Sequence, residues 1–225
     1  MAASPSYNGP LDSLSIWPAG AWSLRRLTGM YSGPCCLVMR SSDSTSTPIG
    51  FTAGGDLNAT ALLAFVGAGD GRIVTWYDQT GYGQNMTQSV AARQPLIVTA
   101  GSLNAISDHS TLPGILSTGT SSSWQYIVAS GNHLNVSQPC TRVSVNGFPA
   151  GTKSTNSPFL EGTSNATVMS LLGANNYYRM YDYNTGLTSA NAVRQGDANI
   201  VNENYNTTSS SIIVNGTVTT GSVGI

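Results

Sequence analysis

Charge is what this chain most lacks. Only 8% of its 225 residues are Asp, Glu, Lys or Arg, against about 25% in ordinary soluble domains. One lysine, Lys153, occurs in the whole sequence, and the formal net charge is −1. Without a basic patch or run, the electrostatic footprint of a nucleic-acid binder is missing. No apolar run approaches the roughly 20 residues that cross a bilayer, so membrane insertion is not expected. The opening MAASPSYNGPLDSLSIWP has neither the positive segment nor the apolar stretch of a secretory signal.

Cysteine is scarce as well: Cys35, Cys36 and Cys140. Three do not build a disulfide framework. There is no CxxC, and His109 and His133 stand alone in the sequence, so no metal and no cofactor is expected. The Cys35-Cys36 pair has two readings. The leading one is a pair of small buried apolar side chains. The other is a strained vicinal disulfide, which assembly in a reducing compartment disfavours.

What the chain has in plenty is Ser, Thr, Asn and Gly. Hydroxyls and amides keep such a surface soluble without charge, and they suit hydrogen bonding to sugars. Six Asn-x-Ser/Thr triplets follow from that composition and carry no further weight.

Residues 1–17, with Pro5 and Pro10, read as an extended arm for virion or partner attachment. In PAGAWSLRRLTGMYSG, Pro18 suits a first helical turn, Trp22, Leu24 and Leu27 form a stripe, and Gly29 or Gly33 stops it. A helix of about three turns is expected. CCLVMRSS, RIVTWYD and RQPLIV read as strands. GGDLNATALLAFVGAGDG reads as a second short helix, with Asp56 as its cap and Gly67 or Gly69 as its end. Later, WQYIV, TRVSVNGF, ATVMSLLG, NYYRMYDY and SSIIVNGTV recur as short β-segments between Gly/Asn turns. Asn215-Gly216 is the strongest hairpin signal, because that pair supplies a type I′ turn. The expected class is mostly β: a concanavalin A-like or jelly-roll sandwich over 18–225, with one or two short N-terminal helices.

Residues 21–98 contain AWSLRRLTGMYSGPCCLVMRSSD, then GGDLNATALLAFVGAGDGRIVTWYDQTGYGQN, then RQPLIV. This run resembles the start of the catalytic domain of family 54 α-L-arabinofuranosidases, and of related phage virion proteins. The resemblance implies a lectin/glucanase-type sandwich and, in the true enzymes, a retaining mechanism with two carboxyls about 5–5.5 Å apart. Fallback catalytic candidates among the ten acids are Glu161, Glu203 and Asp182, none of them in a matched motif. Related chains often carry an acidic turn where this one has LSTGTSSSWQYI at 116–127, and its acids are replaced by Ser and Thr. Relatives also continue past the VNG hairpin, whereas this chain stops at VTTGSVGI, so a truncated sequence or an open sheet edge is expected.

Trp124, Tyr126, Tyr177, Tyr181 and Asp182 are carbohydrate-binding candidates, because rings can stack on sugar faces while a carboxylate binds hydroxyls. Core or interface packing of the NNYYRMYDYN row is the competing reading, and it leads. Asp78 with Gly81 and Gly83 reads as a structural turn, the carboxylate accepting N–H bonds from Thr80 or Gly81. From the missing acids, the low charge and the missing signal, the expected function is non-enzymatic. The chain would be a phage virion structural protein, a capsid decoration or tail component, assembled in the host cytoplasm and displayed on the virion surface. It would form a homo-oligomer, bind other virion proteins and hold cell-surface glycans weakly. An arabinofuranosidase-type glycosidase is the first alternative and a receptor-binding lectin the second.

Overall fold

The computed structural model describes residues 7–117, 125–129, 138–148, 157–160, 169–172, 176–182 and 185–223, with backbone alone at 157–160, 169–172, 181 and 182. The chain is mostly β, in antiparallel sheets, with one α-helix among the described residues. It divides into two compact units, Met1–Ala105 with Leu112–Leu134, and Ile106–Thr111 with Asn135–Ile225.

The first unit holds β1 (Cys36–Arg40), β2 (Ser46–Ile49), α1 (Ala59–Val66), β3 (Gly71–Trp76), β4 (Met86–Thr87), β5 (Leu96–Thr99), β6 (Ser102–Leu103) and β7 (Val128–Ala129). The sheet order is β2-β1-β3-β4-β7, with β5 pairing β3 and β6. Strand alternation sets the core: Gly71, Ile73 and Thr75 of β3 point inward, as do Cys36 and Val38 of β1. They meet Cys35, Ile49, Leu62, Val66, Ile97 and Val98. Pro48 sits in β2, an edge strand, where a missing N–H costs no ladder bond. Cys35 and Cys36 are free thiols, fully buried, which is the packing role expected of them. Hydrogen bonding with Cys36, then burial, pushes the Cys35 thiol up.

The eight residues of α1 are too few to hold a helix by propensity. Burial of Leu62 and Val66, one turn apart, supplies the stability, and Gly67 ends the helix. The cap is Asn58, whose side chain accepts the Ala61 N–H at 3.1 Å. Asp56, the expected cap, lies two residues too early and belongs to the loop, where Thr52 donates its N–H to the Asp56 carbonyl.

The helix expected from Pro18 does not form. Residues 18–29 run irregularly around two side chains from the far end of β3. Asp78, 3% exposed, accepts the N–H groups of Ala21, Thr80 and Gln84 at 3.0, 3.0 and 3.1 Å, and the Thr80 hydroxyl at 2.6 Å. Gln79, just as buried, accepts the Leu27 N–H at 2.7 Å and donates to the carbonyls of Ser23 and Arg25 at 2.9 and 3.0 Å. Trp17 and Trp22 donate their indole N–H groups to the carbonyls of Thr80 and Gln84. A three-turn helix is marginal by itself in water. Each buried hydrogen bond here contributes about 1 kcal/mol net, and leaving a buried partner unmade costs about 1–3 kcal/mol, so the clamp prevails over the apolar stripe. Residues 7–14 lie on the same segment: Leu11 N–H bonds the Leu27 carbonyl, and Asp12 accepts from the Thr28 hydroxyl and the N–H groups of Gly9 and Gly29.

The second unit is a sandwich of two four-stranded sheets. One has the order β12-β11-β10-β9 and the other β15-β14-β13-β8. Their ranges are β8 (Cys140–Gly147), β9 (Ser157–Leu160), β10 (Met169–Leu172), β11 (Tyr177–Asp182), β12 (Thr185–Ala192), β13 (Ala198–Tyr205), β14 (Ser210–Val214) and β15 (Thr217–Gly221). Tyr178 and Met180 pack with Val201, Tyr205, Ile212 and Val214 as its core. Asn215 and Gly216 turn the β14–β15 hairpin with φ of 50° and 88°, the positive pair a type I′ turn requires. Five polar residues of this unit are buried among the described residues, Asn176, Ser189, Asn199, Glu203 and Ser210. Asn199 is closed into a local network by Arg194, Asp197 and Asn215. Glu203, 1% exposed, lies 3.9 Å from the Arg142 guanidinium, which in turn stacks on Tyr205.

Two expected outcomes follow from these buried polar groups. Gln79→Leu should lower unfolding free energy by about 2–4 kcal/mol, since it strands one N–H and two carbonyls. Urea denaturation measures it, and a loss below roughly 0.5 kcal/mol would mean that the clamp is not what orders residues 21–28. Arg142→Met should lower unfolding free energy by about 1–3 kcal/mol at neutral pH, since it removes the guanidinium 3.9 Å from Glu203 and its stack on Tyr205. Adding Glu203→Leu should restore much of the loss, as a double-mutant cycle would show.

Candidate functional site

Glycan chemistry needs either carboxyls that can reach a substrate or a platform that can hold one. Most acids of this chain are already engaged. Asp78 is saturated by the four donors named above. Asp43 grips the Arg40 guanidinium through two bonds, at 2.9 and 2.6 Å, and this pairing holds its carboxyl well below the usual range. Asp70 accepts the Ala100 N–H at 2.9 Å and lies 3.6 Å from Arg72. Asp197 meets His109 at 2.9 Å on the surface. Hydrogen bonds from Thr28, Gly29 and Gly9 depress Asp12. Glu203 faces the core, where burial and then its charge push the Tyr178 hydroxyl up, against a hydrogen bond with Asn146. Among the described residues no three His, Cys, Asp or Glu side chains gather to hold a metal.

Asp182 differs in position. It is the last residue of β11, paired with Thr185 of β12. Two residues further in, Met180 aligns with Ser170 of β10, and Ser170 with Leu160 of β9. β9 and β11 run in the same direction on either side of β10. β9 therefore ends in Leu160 at the same end of the sheet at which β11 finishes in Asp182. Two inter-strand steps of about 4.8 Å separate those strands. Glu161 itself lies outside the described residues, as does Trp124.

A second feature belongs to the first unit. Val74 and Thr75 of β3, Thr87 of β4, Gln88, Ser89, Tyr126 and Val128 of β7 line an open groove of about 430 Å³. Its lining carries no charge. Gln88 is buried and holds the wall together: its side chain donates to the Tyr126 carbonyl at 3.1 Å and accepts the Val90 N–H at 3.0 Å. The Tyr126 ring is 41% exposed. Its hydroxyl accepts from the Arg93 guanidinium at 2.8 Å, and its backbone N–H bonds the Arg93 carbonyl.

The sequence-derived candidates are thus scattered. Tyr126 lines the groove. Tyr177 is half-buried on β11, beside the fully buried Tyr178 and Met180 that take up the core face. Tyr181 and Asp182 end the same strand. Asp78 accepts from Thr80 as expected, while Gly81 and Gly83 carry φ of 87° and 72°, as the turn demands. Sequence reading passed over Thr87, Gln88 and Ser89. The one hint was a polar NMTQS stretch directly after the glycine turn.

Comparison with known proteins gives these positions a context. Residues 18–111 match the family model described as Alpha-L-arabinofuranosidase B, catalytic. No curated protein sequence matches the chain. Among solved structures, a GH54 α-L-arabinofuranosidase soaked with a cyclic sulfate inhibitor is similar at TM-score 0.56 and 17% identity, covering 91% of this chain and 51% of that one. An arabinofuranosidase complexed with arabinofuranosyl-α-1,2-xylobiose is similar at TM-score 0.54 and 19% identity, covering 91% and 51%. The chain thus spans about half the length of these solved structures.

These findings correct the expectation of a non-enzymatic virion component, with its capsid and tail roles. The family match and the structural neighbours are described as arabinofuranosidases. The expectation rested on low charge and on Ser and Thr in place of acids at 116–127. An uncharged, hydroxyl-rich surface suits a glycan-handling enzyme equally well, and one fold carries many functions. The chain resembles the α-L-arabinofuranosidase B catalytic family, by sequence over residues 18–111 and by fold over nine-tenths of its length.

Proposed function

We propose that the chain is the sandwich of an arabinofuranosidase-type glycoside hydrolase, acting on glycans that carry arabinofuranosyl groups. The family match over the first unit supports the class. The strand register of the second unit carries the choice of residues: the Leu160–Ser170–Met180 row brings the exit of β9 and the end of β11 to one edge. Asp182 and, as the residue directly after Leu160 in sequence, Glu161 are the two carboxyls proposed for the chemistry. Hydrolysis of a glycosidic bond needs two such groups. One protonates the departing oxygen, while the other attacks the anomeric carbon or activates a water to do so. Glu203 has a different duty here, since its carboxylate is sealed in the core beside Arg142.

Release of 4-nitrophenol from 4-nitrophenyl α-L-arabinofuranoside tests this reading. Asp182→Asn and Glu161→Gln should each lower kcat/KM by at least about a hundredfold, the usual scale for losing an acid–base group. Thermal unfolding of both variants should stay close to that of the parent. Full activity in either variant would remove that residue from the chemistry. Failure of the parent chain to cleave any arabinofuranoside would sink the enzymatic reading.

A further inference from the structure

We infer that the groove at Tyr126 is a binding site for a neutral glycan chain, with one sugar ring stacked on the tyrosine. Four observations point there. First, the groove is open and its lining runs from β3 across β4 to β7, which suits a chain better than an enclosed small molecule. Secondly, none of its lining residues is charged; Thr87 and Ser89 offer exposed hydroxyls, and Val74 and Val128 offer apolar contact. That mixture matches the two kinds of surface on a sugar, a ring of hydroxyls around apolar C–H faces.

Thirdly, the aromatic ring is exposed but not loose. Arg93 holds its hydroxyl from outside, at 2.8 Å, and lies 5.8 Å from the ring centroid. Gln88 and the Arg93 carbonyl hold its backbone on both sides. A ring fixed before binding loses little entropy when a ligand arrives, and this distinguishes a platform from an incidental surface tyrosine. Fourthly, the support of that ring is itself secured. Gln94, 2% exposed, donates to the Gln88 carbonyl at 2.8 Å, so the segment bearing Thr87, Gln88 and Ser89 is tied to the turn that bears Arg93. The same wiring holds the segment that carries Ile127, which packs on the core of the first unit, while Tyr126 and Val128 on either side of it line the groove. The site stands independently of the hydrolytic reading, because it requires binding and no bond cleavage.

Affinity electrophoresis of the whole chain in gels containing soluble linear arabinan or arabinoxylan tests the inference, and it reads binding whether or not turnover occurs. The parent chain should be retarded. Tyr126→Ala should weaken the retardation constant about tenfold, the scale of one lost ring stack. Tyr126→Phe keeps the ring and loses the Arg93 bond, so it should weaken binding only about two- to threefold. Should Tyr126→Ala fail to fold by circular dichroism, Thr87→Val tests the same groove without removing a packed ring and should weaken binding several-fold. Equal retardation of the parent and the folded Tyr126→Ala and Thr87→Val variants would overturn the proposal. So would absence of retardation by both neutral polysaccharides.

Discussion

The first unit depends on two adjacent side chains, Asp78 and Gln79. They follow β3 directly and reach back more than fifty residues to order a segment with no regular structure of its own. A helix satisfies its own backbone and a strand is satisfied by its neighbours' ladders, but residues 21–28 belong to neither. Their N–H and C=O groups are buried against the sheet and must find partners there. A carboxylate offers only acceptors and an amide offers both kinds, so the Asp-Gln pair can satisfy N–H groups at one point and carbonyls at the next. Trp17 and Trp22 close the same region from the other side through their indole N–H groups. Residues 7–14 then lie on what the clamp has ordered. Without it, the core of Cys35, Cys36, Val38 and Ile73 would have no cover in that direction from Leu24, one of the side chains packed on it.

The second unit solves a different problem. Its two sheets bury a carboxylate and an amide, Glu203 and Asn199, beside apolar side chains and the polar Asn176, Ser189 and Ser210. Glu203 sits opposite Arg142 in the β13–β8 ladder, so the pair is set by strand register, not by a loop that could adjust. Such pairs seldom add net stability over an apolar replacement, but breaking one is costly. They therefore penalise any register in which the two residues are not opposed, and a one-residue slip would turn Val143 and Ile200 inward and Glu203 out. Asn199 works alike at the other end of β13, where its bonds to Arg194, Asp197 and Asn215 hold the preceding turn against the β14–β15 hairpin.

This polar interior also explains what could be read from the residues and what could not. β1, β3, β5, β8, β11 and the β14–β15 hairpin were legible because apolar residues alternate in them, or because Asn-Gly marks the turn. β12 and β13 were not. TGLTSANA has almost no apolar residue, and ANIVNENY places Asn and Glu at inward positions where alternation predicts apolar ones. Both are strands through their neighbours' ladders, which no local pattern reveals. The helix expected at Pro18 failed for the reciprocal reason. Its stripe of Trp22, Leu24 and Leu27 was real, but the partners that decide its backbone lie at 78 and 79. The turn role of Asp78 was legible because Thr80 is local to it. Its larger role, holding Ala21, was hidden by distance in the chain.

The candidate sites divide along the same line. Asp182 and Glu161 stood out as acids in an acid-poor sequence; the register of β9, β10 and β11 brings Leu160 and Asp182 to one end of the sheet, and Glu161 lies outside the described residues. Tyr126 stood out as an exposed-type aromatic, yet only the fold surrounds it with Thr87, Gln88 and Ser89. In a chain this poor in charge, an unengaged carboxylate is a rare resource. Asp12, Asp43, Asp70 and Asp78 hold backbone or an arginine in place, and Asp197 meets the His109 ring. Low charge had suggested a protein with no chemistry to perform. The same scarcity, once the structural duties of those acids are subtracted, confines any acid–base chemistry to a few named positions and leaves sugar binding to rings, hydroxyls and amides.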